Sequence, residues 1–366
     1  MKRYITTECV AWGHPDKVAD QISDAILDAY LTIDPNSKVA VETMVKDNTV
    51  VLGGEVKSKA IIDYDSVIRN LVKEIGYTDA DHGFYYKNLT IINLIGKQSP
   101  EINLAVEISD EEVTSGDQGF MVGYASDETP NYMPLGSYIS RKIVDAVVSI
   151  GGKYFDLGPD AKSQVTIEED GDNRRVESIL ISTMHSTKIS LEELRNILNL
   201  DFIKGVVGLD IIDENTKLYI NPAGSWNVGG PVSDCGVTGR KIVVDQYGPY
   251  CPVGGGAFSG KDSSKTDRSG AYLARYIAKN IVANKLAKKC KVELSYMIGV
   301  AEPSSINVDT YETGDDLKLI ELVKEKFPVT PSGIVKLFDM NRPIYRQTAI
   351  CHFGNENNPW EQIIKL

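Results

Sequence analysis

The strongest constraint on the fold is a recurring order of segments: two strand-like runs, a polar connection, then a helix-like run. Residues 39–45 and 50–56 are strand-like, and Lys46, Asp47, Asn48 and Thr49 join them as a hairpin. Residues 61–75 then carry apolar side chains at helical spacing and stop at Gly76. The order returns at 163–167 and 178–183, joined by a polar stretch at 168–174 and followed by a short helix at 190–198. Further strands are expected at 241–245, ahead of a glycine-rich loop, and at 291–300; helices are expected over 269–288 and 314–327. Strand pairs alternating with helices predict α+β architecture with mixed or antiparallel sheets, not a doubly wound parallel sheet.

Composition narrows what such a fold can serve. The chain has 366 residues, with 39 Lys+Arg against 51 Asp+Glu, a net charge of −12. Apolar residues at 42% allow real cores, and the length suits two or three domains. Nucleic acid and anionic membranes want a basic face, so neither is the expected partner; a small anion in a local basic pocket stays possible. No apolar run approaches the ~20 residues of a membrane span. Met1-Lys2-Arg3-Tyr4 leads into no signal-like apolar region, so a cytoplasmic protein is expected. Cys9, Cys235, Cys251, Cys290 and Cys351 are scattered without a C-x-x-C, which fits reduced thiols. Histidines at 14, 82, 185 and 352 form no H-E-x-x-H, so zinc hydrolysis is a poor fit.

Two segments can carry chemistry. Gly254-Gly255-Gly256-Ala257-Phe258-Ser259-Gly260-Lys261-Asp262 reads G-x-x-x-x-G-K from Gly255, but Asp262 replaces the Mg2+-binding Ser or Thr of a P-loop. Its glycines would let backbone N–H groups approach an anion, and Lys261, Lys265 and Arg268 add positive charge. Asp267 could share Mg2+ with phosphate oxygens. A surface turn before a solvated helix accounts for the same residues equally well. The second segment is Gly13-His14-Pro15-Asp16-Lys17, where Pro15 and Asp16 suit the first turn of a helix. His14 and Asp16 serve there either as caps or as ligands of an anion or metal.

Other residues have plainer expectations. Asp20, Asp24 and Asp28 repeat at four-residue spacing and are expected on a solvated helix face. Glu42 and Glu55 are expected on the solvent side of the first hairpin, Arg240 and Lys241 as surface charge, and Asp117 and Asp234 in turns. Gly116-Asp117-Gln118-Gly119 and Ser233-Asp234-Cys235-Gly236 echo each other, a similarity short enough to arise by chance. From its residues alone, the chain reads as a Mg2+-dependent user of a phosphorylated nucleotide.

Taken together, these segments resemble the S-adenosylmethionine synthetase (methionine adenosyltransferase) family. The resemblance runs through 13–17, Ala19-Asp20-Gln21-Ile22-Ser23-Asp24-Ala25, Gly96-Lys97-Gln98-Ser99-Pro100, 116–119 and Asp160-Ala161-Lys162-Ser163-Gln164-Val165. It continues through Gly239-Arg240-Lys241, 254–261, Asp267-Arg268-Ser269 and Gly299-Val300-Ala301-Glu302-Pro303, in family order over essentially the whole chain. It implies three similar α+β domains in a pseudo-threefold arrangement, at 1–101, 112–228 and 230–366, with strands open to exchange. It also implies a gating loop at 98–111, and a homodimer or dimer-of-dimers tetramer with active sites between subunits.

The implied reaction is attack of the L-methionine sulfur on C5′ of ATP, with loss of triphosphate and its hydrolysis to phosphate and diphosphate. The implied catalytic residues are His14 at the breaking C5′–O bond, with Lys162, Arg240, Lys261 and Lys265; Lys241 joins them on the triphosphate. Asp160, Ser225, Trp226, Asp234 and Ala257 complete the implied ATP set. Glu55, Gln98, Asp117, Asp234 and Lys265 form the methionine set. Asp16 and Asp267 would hold two Mg2+ ions and Glu42 a K+ ion.

The chain departs from the family pattern at Ala11-Trp12, Leu104-Ala105, Ser225-Trp226 and Pro252-Val253, which bears on substrate selectivity and loop gating. Alternatives are a kinase or ligase, which Asp262 disfavours, and an inactive regulatory relative. The retained His14, Asp16, Lys261, Lys265 and Asp267 disfavour the second.

Overall fold

The structure, a computed structural model, describes residues 2–97, 114–154, 156–171 and 173–366. In chain order its strands are β1 (Lys2–Val10), β2 (Lys38–Lys46), β3 (Thr49–Lys57), β4 (Thr90–Asn93), β5 (Gly96–Lys97) and β6 (Gly119–Ser126). Then come β7 (Leu157–Asp170), β8 (Asn173–His185), β9 (Lys217–Ile220), β10 (Gly236–Val237), β11 (Lys289–Tyr296) and β12 (Ser305–Asp309). Among the described residues three sheets result, ordered β1-β7-β8-β9, β10-β2-β3-β4 with β5 also on β3, and β12-β11-β6. Pairing is antiparallel except at β3–β4, β3–β5 and β8–β9, so the mixed α+β expectation holds.

Each sheet takes a strand from another stretch of the chain. β1 pairs with β7, β6 with β11, and β10 with β2. This cyclic exchange interlocks the three units. It also gives the sequence echo a structural meaning: 116–119 and 233–236 each end on the first residue of an exchanged strand, β6 and β10.

Among the described residues the helices are α1 (Pro15–Ile33), α2 (Tyr64–Ile75), α3 (Leu135–Tyr154), α4 (Leu191–Ile197), α5 (Leu200–Val207), α6 (Ile242–Asp245), α7 (Thr266–Ala283), α8 (Asp316–Lys326) and α9 (Pro331–Phe338). In β2 the period of two sends Val39, Val41, Thr43 and Val45 inward and leaves Glu42 and Met44 outward. α2 ends where expected, with Gly76 in the left-handed region at φ 115°. One core joins α1, α2, β2 and β3 to α7 and β11; the other packs α3 on β1, β7 and β8. Among the described residues, no helix is long and apolar enough to cross a membrane.

Several local expectations are corrected. Residues 241–245 form no strand: Ile242-Val243-Val244 has strand propensity, but the segment coils into a short helix packed against β1. Asp245 N instead donates to Lys241 O at 2.8 Å and closes a helical turn. The segment before the glycine-rich loop is a 3-10 turn at Gly248–Tyr250. The connection at 168–174 shrinks because β7 and β8 run on to Asp170 and from Asn173, with Glu168 and Glu169 neutralised by Lys2, Arg3 and Arg174. α7 starts and ends earlier than 269–288, since its first turn includes Asp267.

Candidate active site

After β1 the chain stays against β7: Ala11 N donates to Ala161 O at 2.9 Å and Gly13 N to Pro159 O at 3.2 Å. α1 starts immediately afterwards. His14 is its N-cap, with Nδ1 accepting from Asp16 N at 3.2 Å, and Pro15 fills the first position. An accepting Nδ1 leaves the ring proton on Nε2. His14 is 1% exposed, and burial, reinforced by the Lys241 and Lys162 cations, pushes its pKa down to about 3. It is a neutral donor. Asp16 accepts from Val237 N at 2.9 Å and from Lys241 Nζ at 2.5 Å, with the Arg240 guanidinium 3.7 Å away. Burial opposes its charge, but the Lys241 and Val237 hydrogen bonds keep the carboxyl below its usual range.

The glycine-rich loop ends alongside β2, where Lys261 bridges Ala40, Val41 N donates to Gly260 O and Asp262 N donates to Val39 O. Asp262 is a buried cap: it accepts from Val39 N at 2.7 Å and pairs with Lys265 at 2.9 Å. Lys261 Nζ lies 2.6 Å from Asp267 Oδ2. Gly256 packs on Asp267 so closely that a Cβ there would sit 2.2 Å from its Cγ; one on Gly119, two residues after Asp117, would be 3.5 Å from Oδ1. A Cβ on Gly239 would meet Ala257 Cβ at 2.5 Å. His14, Asp16, Lys162, Arg240 and Lys241 thus form one group. Ala257, Lys261 and Asp267 form a second with the Asp117 turn, and the Gly239–Ala257 contact joins the two.

The other expected site residues surround these groups or stand outside them. Asp160 is buried; Oδ2 accepts from Gly230 N at 2.7 Å, Oδ1 has no hydrogen-bond partner among the described residues, and burial pushes the pKa up to about 7. Trp226 is half-buried, its backbone bound to His185 and its indole N–H donating to Val228 O at 2.8 Å. Ser225, Asp234 and Asp117 are exposed. Glu42 and Glu55 are exposed on one outward face; Glu55 pairs with Ala40, the residue that bridges Lys261 from the other side. Trp12, at one departure from the family pattern, is anchored by its indole N–H to Ile75 O at 3.1 Å. Gln98, the 98–111 segment and Leu104-Ala105 lie outside the described residues.

Family models for S-adenosylmethionine synthetase match in succession: the N-terminal domain over 2–100, the central domain over 112–226 and the C-terminal domain over 228–362. The chain belongs to the S-adenosylmethionine synthetase family. It is 45% identical to proteins named S-adenosylmethionine synthase from two strains of Staphylococcus epidermidis, over 100% of this chain and 96% of theirs. In this member of the S-adenosylmethionine synthetase family the matched segments are not separate bodies, since β1, β6 and β10 each pair outside the segment that contains them.

The aspartates of α1 are the residues that sequence reasoning misplaced. Asp20 and Asp24 are buried, not solvated, and Asp28 is half-buried. Asp20 accepts from Gly239 N at 2.9 Å; the buried Lys17 lies 2.9 Å from its other oxygen and 2.6 Å from Asp245. Asp24 accepts from Gly260 N at 2.8 Å and from Arg268 at 2.6 and 2.8 Å. Asp28 accepts from Tyr345 N and Arg346 N. α1 is covered by loops whose N–H groups need acceptors, and the carboxylates supply them. A four-residue acid repeat looks the same facing water or facing such loops.

The donor set fits a hard cation. Among the described residues no three His, Cys, Asp or Glu side chains gather as a cage. Asp16 and Asp267 are single carboxylates, each beside a lysine, which suits an ion that takes one or two carboxylates and completes its shell with phosphate oxygens and water.

Proposed function

We propose that this chain is a methionine adenosyltransferase, forming S-adenosylmethionine, phosphate and diphosphate from ATP, L-methionine and water. The observation that carries the reading is a buried, neutral His14 beside the Lys241 and Lys162 cations, with Lys241 and Arg240 gathered on Asp16 two residues on. A thioether is a weak, uncharged nucleophile, so the rate must come from aligning sulfur with C5′ and from stabilising the departing polyanion. As the C5′–O bond breaks, sulfur becomes a sulfonium and the triphosphate keeps the electron pair. His14 Nε2–H donates to that oxygen, while Lys162, Arg240, Lys241 and Lys261 grip the phosphates. Asp16 and Asp267 would hold two Mg2+ ions, which supply charge neutralisation on the triphosphate.

Lys265 serves the phosphates and the methionine carboxylate. Glu55, Gln98, Asp117 and Asp234 position methionine or the nucleoside. Asp160, Ser225, Trp226 and Ala257 serve the nucleoside, with the half-exposed indole of Trp226 offering a face for the base. Glu42 would hold K+.

A homodimer, alone or paired into a tetramer, completes the reading. Met44, Val51 and Ile92 are register partners across β2, β3 and β4 and form an apolar row on the outward face that carries Glu42 and Glu55; Met44 and Ile92 are 41% and 42% exposed. A second copy covering that row would bring its own residues to these carboxylates. The test is incubation with ATP, methionine, Mg2+ and K+ and mass detection of S-adenosylmethionine. Stoichiometric ADP or AMP would sink the reading.

A further inference from the structure

We infer that the aspartate row of α1 sets the register of the two cationic loops: Asp20 is a positioning residue for Arg240 and Lys241, and Asp24 for Lys261. The inference rests on the triphosphate reading above. Asp16, Asp20 and Asp24 are successive rungs about 6 Å apart along the helix, and they accept in turn from Val237 N, Gly239 N and Gly260 N. The last two N–H groups belong to the residues immediately before Arg240 and Lys261. Both glycines have positive φ, 79° and 82°, and a Cβ on Gly260 would lie 1.9 Å from Val41 O. The loops are therefore held between two rulers, α1 on one side and β2 on the other. On the β2 side, Thr238 N donates to Thr43 O and Val41 N to Gly260 O, each at 3.0 Å.

The Asp20 and Asp24 rungs each also face a buried cation. Lys17, 0% exposed, grips the second oxygen of Asp20 and is itself anchored on Asp245. Arg268 clamps both oxygens of Asp24. A charge-assisted bond from carboxylate to backbone N–H is among the stronger and more directional ones available. Two loops, anchored at Gly239 and Gly260, thereby share the repeat of one helix.

Two substitutions at Asp20 separate register from charge. Asp20→Asn keeps an acceptor at Gly239 N but removes the charge facing Lys17; Asp20→Glu keeps the charge and moves the acceptor by a methylene. Losing one charge-assisted bond corresponds to about tenfold, so Asp20→Glu should raise KM for ATP about tenfold with KM for methionine within about twofold, and Asp20→Asn should leave both within about threefold. The reverse order, or equal changes in both KM values, overturns the inference. Asp28→Asn, on the same row but bound to Tyr345 N and Arg346 N, should lower Tm without moving KM for ATP; a rise in that KM overturns it too. Calorimetry with inorganic tripolyphosphate reads the same contrast without turnover, Asp20→Glu weakening binding and Asp20→Asn sparing it. A wild type that binds tripolyphosphate yet makes no S-adenosylmethionine would refute the reaction and leave the register contrast measurable.

Discussion

Lys261 Nζ lies 2.6 Å from Asp267 Oδ2, joining the end of the glycine-rich loop to the first turn of α7. Under the proposed mechanism, one member grips triphosphate and the other holds Mg2+. Both side chains are partly exposed, so the pair contributes only on the order of 1 kcal/mol to stability. Lys261→Ala and Asp267→Asn are each expected to reduce kcat/KM by about a hundredfold or more, the scale of losing one transition-state charge contact, with Tm nearly unchanged. Near-normal S-adenosylmethionine formation in either variant removes that residue from the mechanism.

The same pairing bears on metal removal. Asp16 and Asp267 already have lysine partners in the free protein, at 2.5 and 2.6 Å. Chelation is therefore expected to abolish turnover while leaving the melting curve of the unliganded protein in place. A large fall in Tm with chelator would mean that the carboxylates depend on metal for folding.

His14 gives a pH signature. Its folded pKa is pushed down to about 3 from an ordinary 6.5. Between those values the unfolded chain binds more protons, so this group's contribution to stability is full above about pH 6.5 and is lost as pH falls. The kcat/KM profile should show no His14 inflection between pH 6 and 8. An inflection near 6.5 that vanishes in His14→Asn would contradict a neutral donor.

Asp160 runs the other way. Its pKa is pushed up to about 7 from 3.8, so the folded state binds more protons between those values and stability falls as pH rises through them. Asp160→Asn, which can still accept from Gly230 N, is expected to raise stability at pH 8 by on the order of 2 kcal/mol, with the gain shrinking towards pH 5. Thermal melts of both proteins at the two pH values check this; a pH-independent difference would exclude the titration.

Much of the arrangement was legible in the chain. The alternation in 39–45 and 50–56 marked β2 and β3, Gly76 marked the end of α2, and the motif segments contain the residues of both candidate groups. What stayed hidden depends on tertiary surroundings. Ile242-Val243-Val244 has strand propensity, yet its chain closes a helical turn, with Asp245 N donating to Lys241 O. Asp20 and Asp24 have a polar periodicity that does not state what lies above them; the glycines at 239 and 260, over two hundred residues later, supply the N–H groups that make burial tolerable.

The strand exchange also dictates an order of events on the ribosome. The free edge of β2 is covered at Met44 and Val45 by Val237 and Gly236 and at residues 39–41 by residues 260–262, so it is complete only after more than two-thirds of the chain has emerged. Until then the nascent hairpin displays an unpaired edge of the kind that recruits other chains. A truncation that ends before Gly236 would make that exposure permanent. Shuffling units among relatives would succeed only if each donated strand travelled with the sheet it completes.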